Sequence, residues 1–247
     1  MPPSFYRFRL TGFYLTHLFK SATRQDHASL TTIIRRYLPI DGVAIDIGAH
    51  GGQVTRLLAD AAPDGLVVAV EPSGYARSIL RLALFLRGYK NIVIAAMALG
   101  ATAGTTLIRT PLKRRGDMGY GLANLVDAGS NFVAEPVAVA TLDSLVASLN
   151  LSRLDFIKAD IEGFEDEMIK GATGVLQKMR PAIYMEMDDG WLRRANSSLE
   201  MLWTRMTDHG YVPYQTSTQI AGSLRTIATP CAGDILWLPS ETADLQR

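Results

Sequence analysis

In the stretch "LDFIKADIEGFEDE", Lys158, Asp160 and Glu162 fall at every second position. Alternate residues of an extended chain share a face, so Lys158 and Asp160 point together, and Glu162 joins them if the chain stays extended. A core strand of a parallel sheet is normally an apolar run, and ionisable groups at its end are costly unless paired or used. The chemistry these groups offer is proton transfer. Asp160 is the first candidate base, with Glu162 and Glu186 (in "YMEM") as alternatives. Lys158 either orients Asp160 or, if burial lowers its pKa, serves as the base itself. The plainer alternative is a buried Lys158–Asp160 ion pair that only orders the loop. Glu165, Asp166 and Glu167 read as acids that complement the dipole of a helix's first turn.

A second stretch, "VAIDIGAHGGQV", places Asp46 ahead of three glycines in five residues. Gly48 suits a tight turn, and Gly51 and Gly52 would let the backbone approach a ligand. A dinucleotide loop needs glycines at its first, third and sixth positions. Here those positions hold Gly48, His50 and Gln53, so the pattern fails twice. Asp46 also argues against a pyrophosphate, which a carboxylate repels. S-adenosyl-L-methionine (SAM) carries a sulfonium and an ammonium instead, which an aspartate at a strand end favours. Glu71 ends the next apolar run, where an acid that accepts ribose hydroxyls belongs. The expected cofactor contacts are therefore Asp46, Gly48, Ala49, His50, Gly51, Glu71 and Pro72. His50 taken alone is an ordinary loop residue.

The elements that must position these groups alternate. A helix near Ser29–Tyr37 precedes the strand Val43–Ile47, a helix carries Val54, Leu57 and Leu58, and "LVVAVE" is a second strand. "ARSILRLALFLRG" places Ile79, Leu82, Ala83 and Leu86 at helical spacing and closes at Gly88. "NIVIAAMAL" reads as a third strand, and Asn91–Ile108 as two buried strands joined by a turn. Arg109–Phe132 is glycine-rich, basic and without a period, which predicts a functional loop that closes over the acceptor. A short strand, a helix capped at Thr141, the strand before Asp160 and the strand "PAIYMEM" follow. A helix with Leu199, Leu202, Trp203 and Met206 on one side then stops at Gly210. "YVPYQT" and "DILWLP" have no helix between them and predict an antiparallel pair at the sheet edge. The expected fold is α/β, a Rossmann-like sheet, mostly parallel with an antiparallel last strand and helices on both faces. Residues 1–40 read as a helical cap segment and residues 41–247 as one domain.

Twenty-five basic residues against 24 acidic give a formal charge of +1, which offers no global reason to expect a nucleic-acid partner. One cysteine, Cys231, excludes an intrachain disulfide and a multi-cysteine zinc site, and fits a reducing cytoplasm. The N-terminus carries Arg7, Arg9 and Lys20 among aromatics and no acid. It is a candidate for peripheral membrane contact, for packing over the domain, or for contact with a second subunit. It lacks the small-residue cleavage site of a signal peptide.

The segment "TLDSLVASLNLSRLDFIKADIEGFEDEMIKGATGVLQKMRPAIYMEM" resembles the FkbM family of SAM-dependent methyltransferases, most distinctively in "KADIEGFE" and the following "KGA". "AIDIGAHGG", "AVEPS" and "DILWLP" extend the resemblance over Val43 to Pro239. It implies methylation of a hydroxyl on a sugar, glycolipid, oligosaccharide or polysaccharide (a deoxyhexose such as fucose among them) or on a polyketide-type metabolite. It implies the class I methyltransferase form of the Rossmann-like sheet, and SAM contacts at Asp46, Gly48, Gly51 and Glu71. It also sets Asp160 where metal-dependent O-methyltransferases of that fold place an aspartate. A divalent metal would draw on Asp160, Glu162 and Glu186. The nearest rival is an RNA-modifying methyltransferase, for which "KRR" at Lys113–Arg115 could meet phosphates. No Asn/Asp-Pro-Pro-aromatic sequence for amino-group methylation occurs, and the "TPC" at Cys231 comes too late in the chain for a cytosine-C5 nucleophile. A nicotinamide-dependent oxidoreductase is opposed by the loop, and an inert binding module by the ionisable strand end.

Overall fold

The computed structural model describes residues 12–23, 28–111, 132–216 and 224–244. Two helices, α1 (Gly12–Thr23) and α2 (Ala28–Tyr37), precede β1 (Val43–Ile47). Then come α3 (Gln53–Ala61), β2 (Leu66–Val70), α4 (Gly74–Arg87) and β3 (Ile92–Ala95). β4 (Ala98–Leu99), β5 (Gly104–Pro111), β6 (Phe132–Ala140) and α5 (Leu142–Ser148) follow. The second half holds β7 (Phe156–Ala159), α6 (Glu165–Lys170), α7 (Thr173–Lys178), β8 (Ala182–Met187), α8 (Asp189–Arg194) and α9 (Leu199–Asp208). It closes with β9 (Tyr211–Thr216), β10 (Leu224–Thr226), β11 (Gly233–Pro239) and α10 (Ser240–Asp244).

Eight strands form the main sheet in the order β10-β9-β11-β8-β7-β1-β2-β3. β8, β7, β1, β2 and β3 run parallel, while β11, β9 and β10 pair antiparallel. The strand order reverses between β1 and β7, the crevice where ligands of such sheets bind. Strands buried on both faces need apolar residues on both. Ile45, Ile47, Val68, Ile157, Ile183 and Met185 pack against helix residues such as Met168, Leu176 and Leu202 on one side. Ala44, Val67, Phe156 and Leu236 meet Ile33, Ile34 and Leu58 on the other. Helix α2 is therefore built into the domain core rather than laid over it.

Three expectations change. The run "NIVIAAMAL" is two strands in different sheets, because β4 leaves β3 and joins β6 in a three-stranded sheet ordered β4-β6-β5. A continuous apolar run does not reveal such a switch. The ends of the Arg109–Phe132 segment are not loop: Arg109, Thr110 and Pro111 pair with Ala134, Val133 and Phe132. Residues 112–131, with Lys113–Arg115, lie outside the described residues, as do Arg7 and Arg9. On α4 the buried side is Ala76, Ile79, Leu80, Ala83 and Leu84, and Leu86 is 61% exposed. Leucines at every second position offer two competing helical stripes, and the wrong one includes Leu86.

Helix α1 is fastened to this frame by polar contacts. His17 Nδ1 lies 2.9 Å from the Tyr75 hydroxyl, and Tyr14 Oη lies 3.2 Å from Ser78 Oγ, both partners on α4. Arg56 on α3 is fully buried and donates through Nη1 to the Ala22 carbonyl at 2.8 Å and through Nε to the Gly52 carbonyl at 3.3 Å. Arg56→Met keeps the apolar stem but leaves both carbonyls without this donor. It is expected to destabilise the protein by about 1–3 kcal/mol and to speed hydrogen exchange across α1 before the core strands exchange.

Candidate active site

The turn after β1 is held by its backbone. Gly48 and Ala49 both donate their N–H groups to the Val70 carbonyl at 3.0 Å. Gly48 has φ +77°, and a Cβ there would stand 2.0 Å from the Asp160 carbonyl oxygen. Glycine is thus what lets the ends of β1 and β7 close on each other. His50 also adopts a left-handed conformation, φ +51°. Gly52 caps α3 at φ +83°, where a Cβ would strike the Leu80 side chain at 2.4 Å. Its smallness serves the packing of α3 on α4.

Glu71, just past β2, clamps this turn. Its Oε2 accepts from the His50 N–H at 2.8 Å and its Oε1 from the Ser73 N–H at 2.7 Å. Burial pushes its carboxyl up to about 7. Ionised carboxylate oxygens have more than one acceptor site each, so Glu71 keeps capacity for a further donor. Pro72 continues the chain, and its carbonyl accepts from Arg77.

Asp46, the expected partner of a cationic ligand, is sealed from solvent. Its Oδ2 accepts from the Thr55 hydroxyl at 2.6 Å, and its Oδ1 lies 4.0 Å from Lys158 Nζ. The same ammonium sits 3.2 Å from Asp160 Oδ2, so the Lys158–Asp160 pair foreseen from the alternation exists. Burial opposes the charge on Lys158, but Asp160 and Asp46 outweigh it and hold the lysine above its ordinary pKa. Of the two roles expected for Lys158, this contact with Asp160 supports the orienting one, since the two flanking carboxylates outweigh the burial that would lower its pKa. Asp160 differs from Asp46 in being open, with its side chain 42% exposed. Burial pulls its pKa up, while Lys158 and a hydrogen bond with Glu186 pull it down further, below the ordinary carboxylate value. Glu186 is raised to about 7, by partial burial and then by the Asp160 carboxylate.

The row has a member the sequence did not suggest. Asp234 on β11 stands directly opposite Glu186 and adds to the raising of its pKa. Its signal was available: an acid opening the apolar strand "GDILWLP", beside "YMEM" once the two are paired antiparallel.

Glu162 arrives differently from the expectation. β7 ends at Ala159, and Glu162 takes φ +53°, followed by Gly163 at φ +99° packed under the Trp191 carbonyl. The left-handed turn, not an extended strand, brings Glu162 near Asp160, Glu186 and Glu71. Burial first and these acids next push it to about 7. Glu165 and Asp166 are more than dipole partners. Glu165 is buried and accepts from the Ile161 N–H at 2.9 Å, closing the same turn. Asp166, also buried, receives Arg205 Nε at 2.6 Å and Lys170 at 3.2 Å. Among the described residues no three His, Cys, Asp or Glu side chains converge as metal ligands, so Asp160, Glu162 and Glu186 are not gathered into a cation cage.

The description "Methyltransferase FkbM domain" matches residues 46–213, which begin at Asp46 and include the whole carboxylate turn. The chain belongs to the FkbM methyltransferase family. No curated protein matches the sequence. Among solved structures, the fold resembles an O-methyltransferase from Bacillus cereus in complex with SAH, with 13% identity, a TM-score of 0.50, and 96% of this chain and 94% of that one covered. It resembles a putative methyltransferase from Streptococcus mutans, also in complex with SAH, at 11% identity and TM-score 0.50, covering 85% and 96%. A putative rRNA-methylase from Clostridium thermocellum shares 8% identity at TM-score 0.51 over 87% and 94%. At these identities the likeness establishes the class I methyltransferase fold. Family membership makes this FkbM protein a SAM-dependent methyltransferase.

The crowded carboxyls give stability a defined pH dependence. Glu71, Glu162, Glu165 and Glu186 stay protonated up to about 7 in the folded chain, whereas unfolded glutamates ionise near about 4.3. The folded state therefore binds more protons between those values, and stability falls as pH rises through this window. The melting temperature of this FkbM enzyme is expected to decline between pH 5 and pH 8 (roughly the interval bounded by the two pKa ranges). Glu165→Gln, which keeps an acceptor for Ile161 but cannot ionise, is expected to flatten that decline in a melting series.

Proposed function

We propose that this enzyme transfers the SAM methyl group to a hydroxyl oxygen, that of a sugar in a glycolipid, oligosaccharide or polysaccharide (a deoxyhexose such as fucose) or of a polyketide-type metabolite. The observation that carries this reading is the half-open Asp160 at the end of β7. It is fixed by Lys158, hydrogen-bonded to Glu186, and one turn away from the Gly48 loop. In this reading residues 41–247 hold the catalytic machinery, with α2 as part of the same core and α1 packed on α4.

SAM when bound supplies an electrophilic methyl on sulfur, and most of the rate can come from holding the acceptor oxygen close and in line. The donor set fits such a cofactor. Glu71 offers carboxylate oxygens at the end of β2 for ribose hydroxyls, and the backbone of Gly48, Ala49, His50 and Gly51 walls the turn. Asp46 acts through Lys158 and Thr55 rather than by direct contact. Asp160, kept ionised by Lys158, orients the acceptor hydroxyl by accepting its hydrogen bond. The Asp160–Glu186 pair then takes the proton as the oxygen is methylated. Asp160, Glu162, Glu186 and Asp234 make this rim acidic, which favours a neutral polyhydroxyl acceptor. The same charge disfavours the RNA-modifying reading, and the glycine pattern disfavours a nicotinamide cofactor. Residues 109–132, whose two ends form the β5–β6 ladder, stand as the segment that meets the acceptor.

Glu71→Ala is expected to weaken SAM binding by about 1–3 kcal/mol, the usual loss for hydrogen bonds to a charged group, as read by titration calorimetry. Unchanged affinity in a folded variant removes Glu71 from the cofactor site.

Asp160→Asn keeps the shape but not the charge. With it kcat is expected to fall about 10²–10⁴-fold, the size of a general-base contribution, while SAM affinity holds. The wild-type rate is expected to rise with pH as Glu186 ionises through about 7. An Asp160→Asn enzyme that melts early yet turns over normally while folded makes Asp160 a structural residue.

A further inference from the structure

Helices α1 and α4 lie side by side, joined by the His17–Tyr75 and Tyr14–Ser78 contacts and by the edge-on stacking of Tyr14 on Tyr75 at 5.9 Å. Neither helix contains an acidic residue. Between them, and in the turn after α4, they carry Lys20, Arg77, Arg81, Arg87 and Lys90. The whole chain is nearly neutral at +1, so this is a segregation of charge and not a property of composition. The face is also apolar. Of the eight large hydrophobic residues exposed among the described residues, four belong to these two helices: Leu15 at 50%, Phe19 at 68%, Phe85 at 79% and Leu86 at 61%. Leu15 and Phe19 are one turn apart on α1, and Arg81 and Phe85 one turn apart on α4, each pair at the spacing that shares a helix face.

The polar contacts explain why these residues stay outside. Tyr14, His17 and Ser21 already fill the buried side of α1, and α4 buries Ala76, Ile79, Leu80, Ala83 and Leu84 against the sheet. Of the carboxylates bonded to α4 and the turn after it, Asp60 on α3 accepts from the Tyr89 hydroxyl at 2.7 Å and Glu135 on β6 from the Gly74 N–H at 3.0 Å.

We propose that the α1–α4 face docks the protein on a bilayer surface carrying anionic headgroups. Aromatic and leucine side chains entering the headgroup region, with cations around them, are the recognition pattern of an interfacial helix. A second copy of this chain fits worse, because two like-charged faces repel. A nucleic acid would meet the cations but leave Leu15, Phe19, Phe85 and Leu86 exposed. The face adjoins the candidate cleft: Ser73, which caps α4, donates its N–H to Glu71, and Arg56 ties α1 to the carbonyl of Gly52. Docking there sets the cleft beside the membrane, although the docking itself does not depend on the reading of the catalytic residues.

The test uses the full chain and sedimentation with vesicles, one set of pure phosphatidylcholine and one with roughly a third phosphatidylglycerol. Binding is expected on the anionic set alone, with loss as salt screens the surface. Phe19→Asp combined with Phe85→Asp, and separately Arg81→Glu combined with Arg87→Glu, is each expected to weaken it about tenfold or more. Melting temperature and SAM affinity should stay unchanged in both, since all four side chains lie outside the cleft. The proposal is overturned by absence of binding to anionic vesicles, by equal binding to neutral ones, or by variants that bind as tightly as wild type. It is equally overturned if Phe19→Asp with Phe85→Asp breaks a dimer in light scattering, or if single-stranded RNA displaces the vesicles. Loss of methyl transfer with vesicle binding intact would count against the catalytic reading and leave this one standing.

Discussion

A single ammonium group, that of Lys158, stands between the carboxylates that end β1 and follow β7. Asp46 has no route to solvent, and its other oxygen is already bonded by Thr55, so among the described residues Lys158 supplies the opposite charge beside it. Removing one partner from such a buried arrangement costs about 3–5 kcal/mol, because the survivor stays charged and dry. The pairing also sets backbone geometry. β1 and β7 must sit in the register that opposes Asp46 to Lys158, and that register brings the Gly48 turn onto the Asp160 carbonyl. No side chain fits in that gap.

The charge balance along the rim follows from the same lysine. One cation faces Asp46, Asp160 and, through Asp160, Glu186 and Asp234, so full ionisation of the row leaves negative charge in excess. The excess is relieved by protons on Glu186 and Glu162, both raised to about 7. A site poised in this way discriminates by sign before it discriminates by shape. An anionic group meets repulsion there from several sides, whereas a cation or a neutral group does not. The same crowding sets two neighbouring acids apart, with Asp160 lowered and Glu186 raised to about 7.

Much of this was legible in the residues. The alternation of Lys158 and Asp160, the acid before Gly48 and the acid after β2 reflect local rules of strand and turn, and local rules survive folding. The antiparallel β9–β11 pair, the Thr141 cap and the Gly88 and Gly210 stops were equally plain. What escaped depended on partners distant in sequence. The role of Lys158 stayed open between two readings because burial was visible in the pattern while Asp46, 112 residues earlier, was not visible as its neighbour. Asp234 needed the β8–β11 register. The split of β3 from β4 needed the existence of a second sheet. Glu165 and Asp166 looked like helix decoration because a first-turn acid has the same spelling whether it faces water, a turn amide or Arg205.

The second sheet has its own implication. β5 and β6 pair without a break from Gly104 opposite Val139 to Pro111 opposite Phe132, and Glu135 on β6 receives the Gly74 N–H at the start of α4 with both carboxylate oxygens. The span between Pro111 and Phe132 thus leaves and returns through a closed ladder stapled to the frame. Lengthening a span whose ends are already fixed adds little to the entropy of closing it, which grows only logarithmically with length. By that measure an insertion between Pro111 and Phe132 costs the ladder and the frame little.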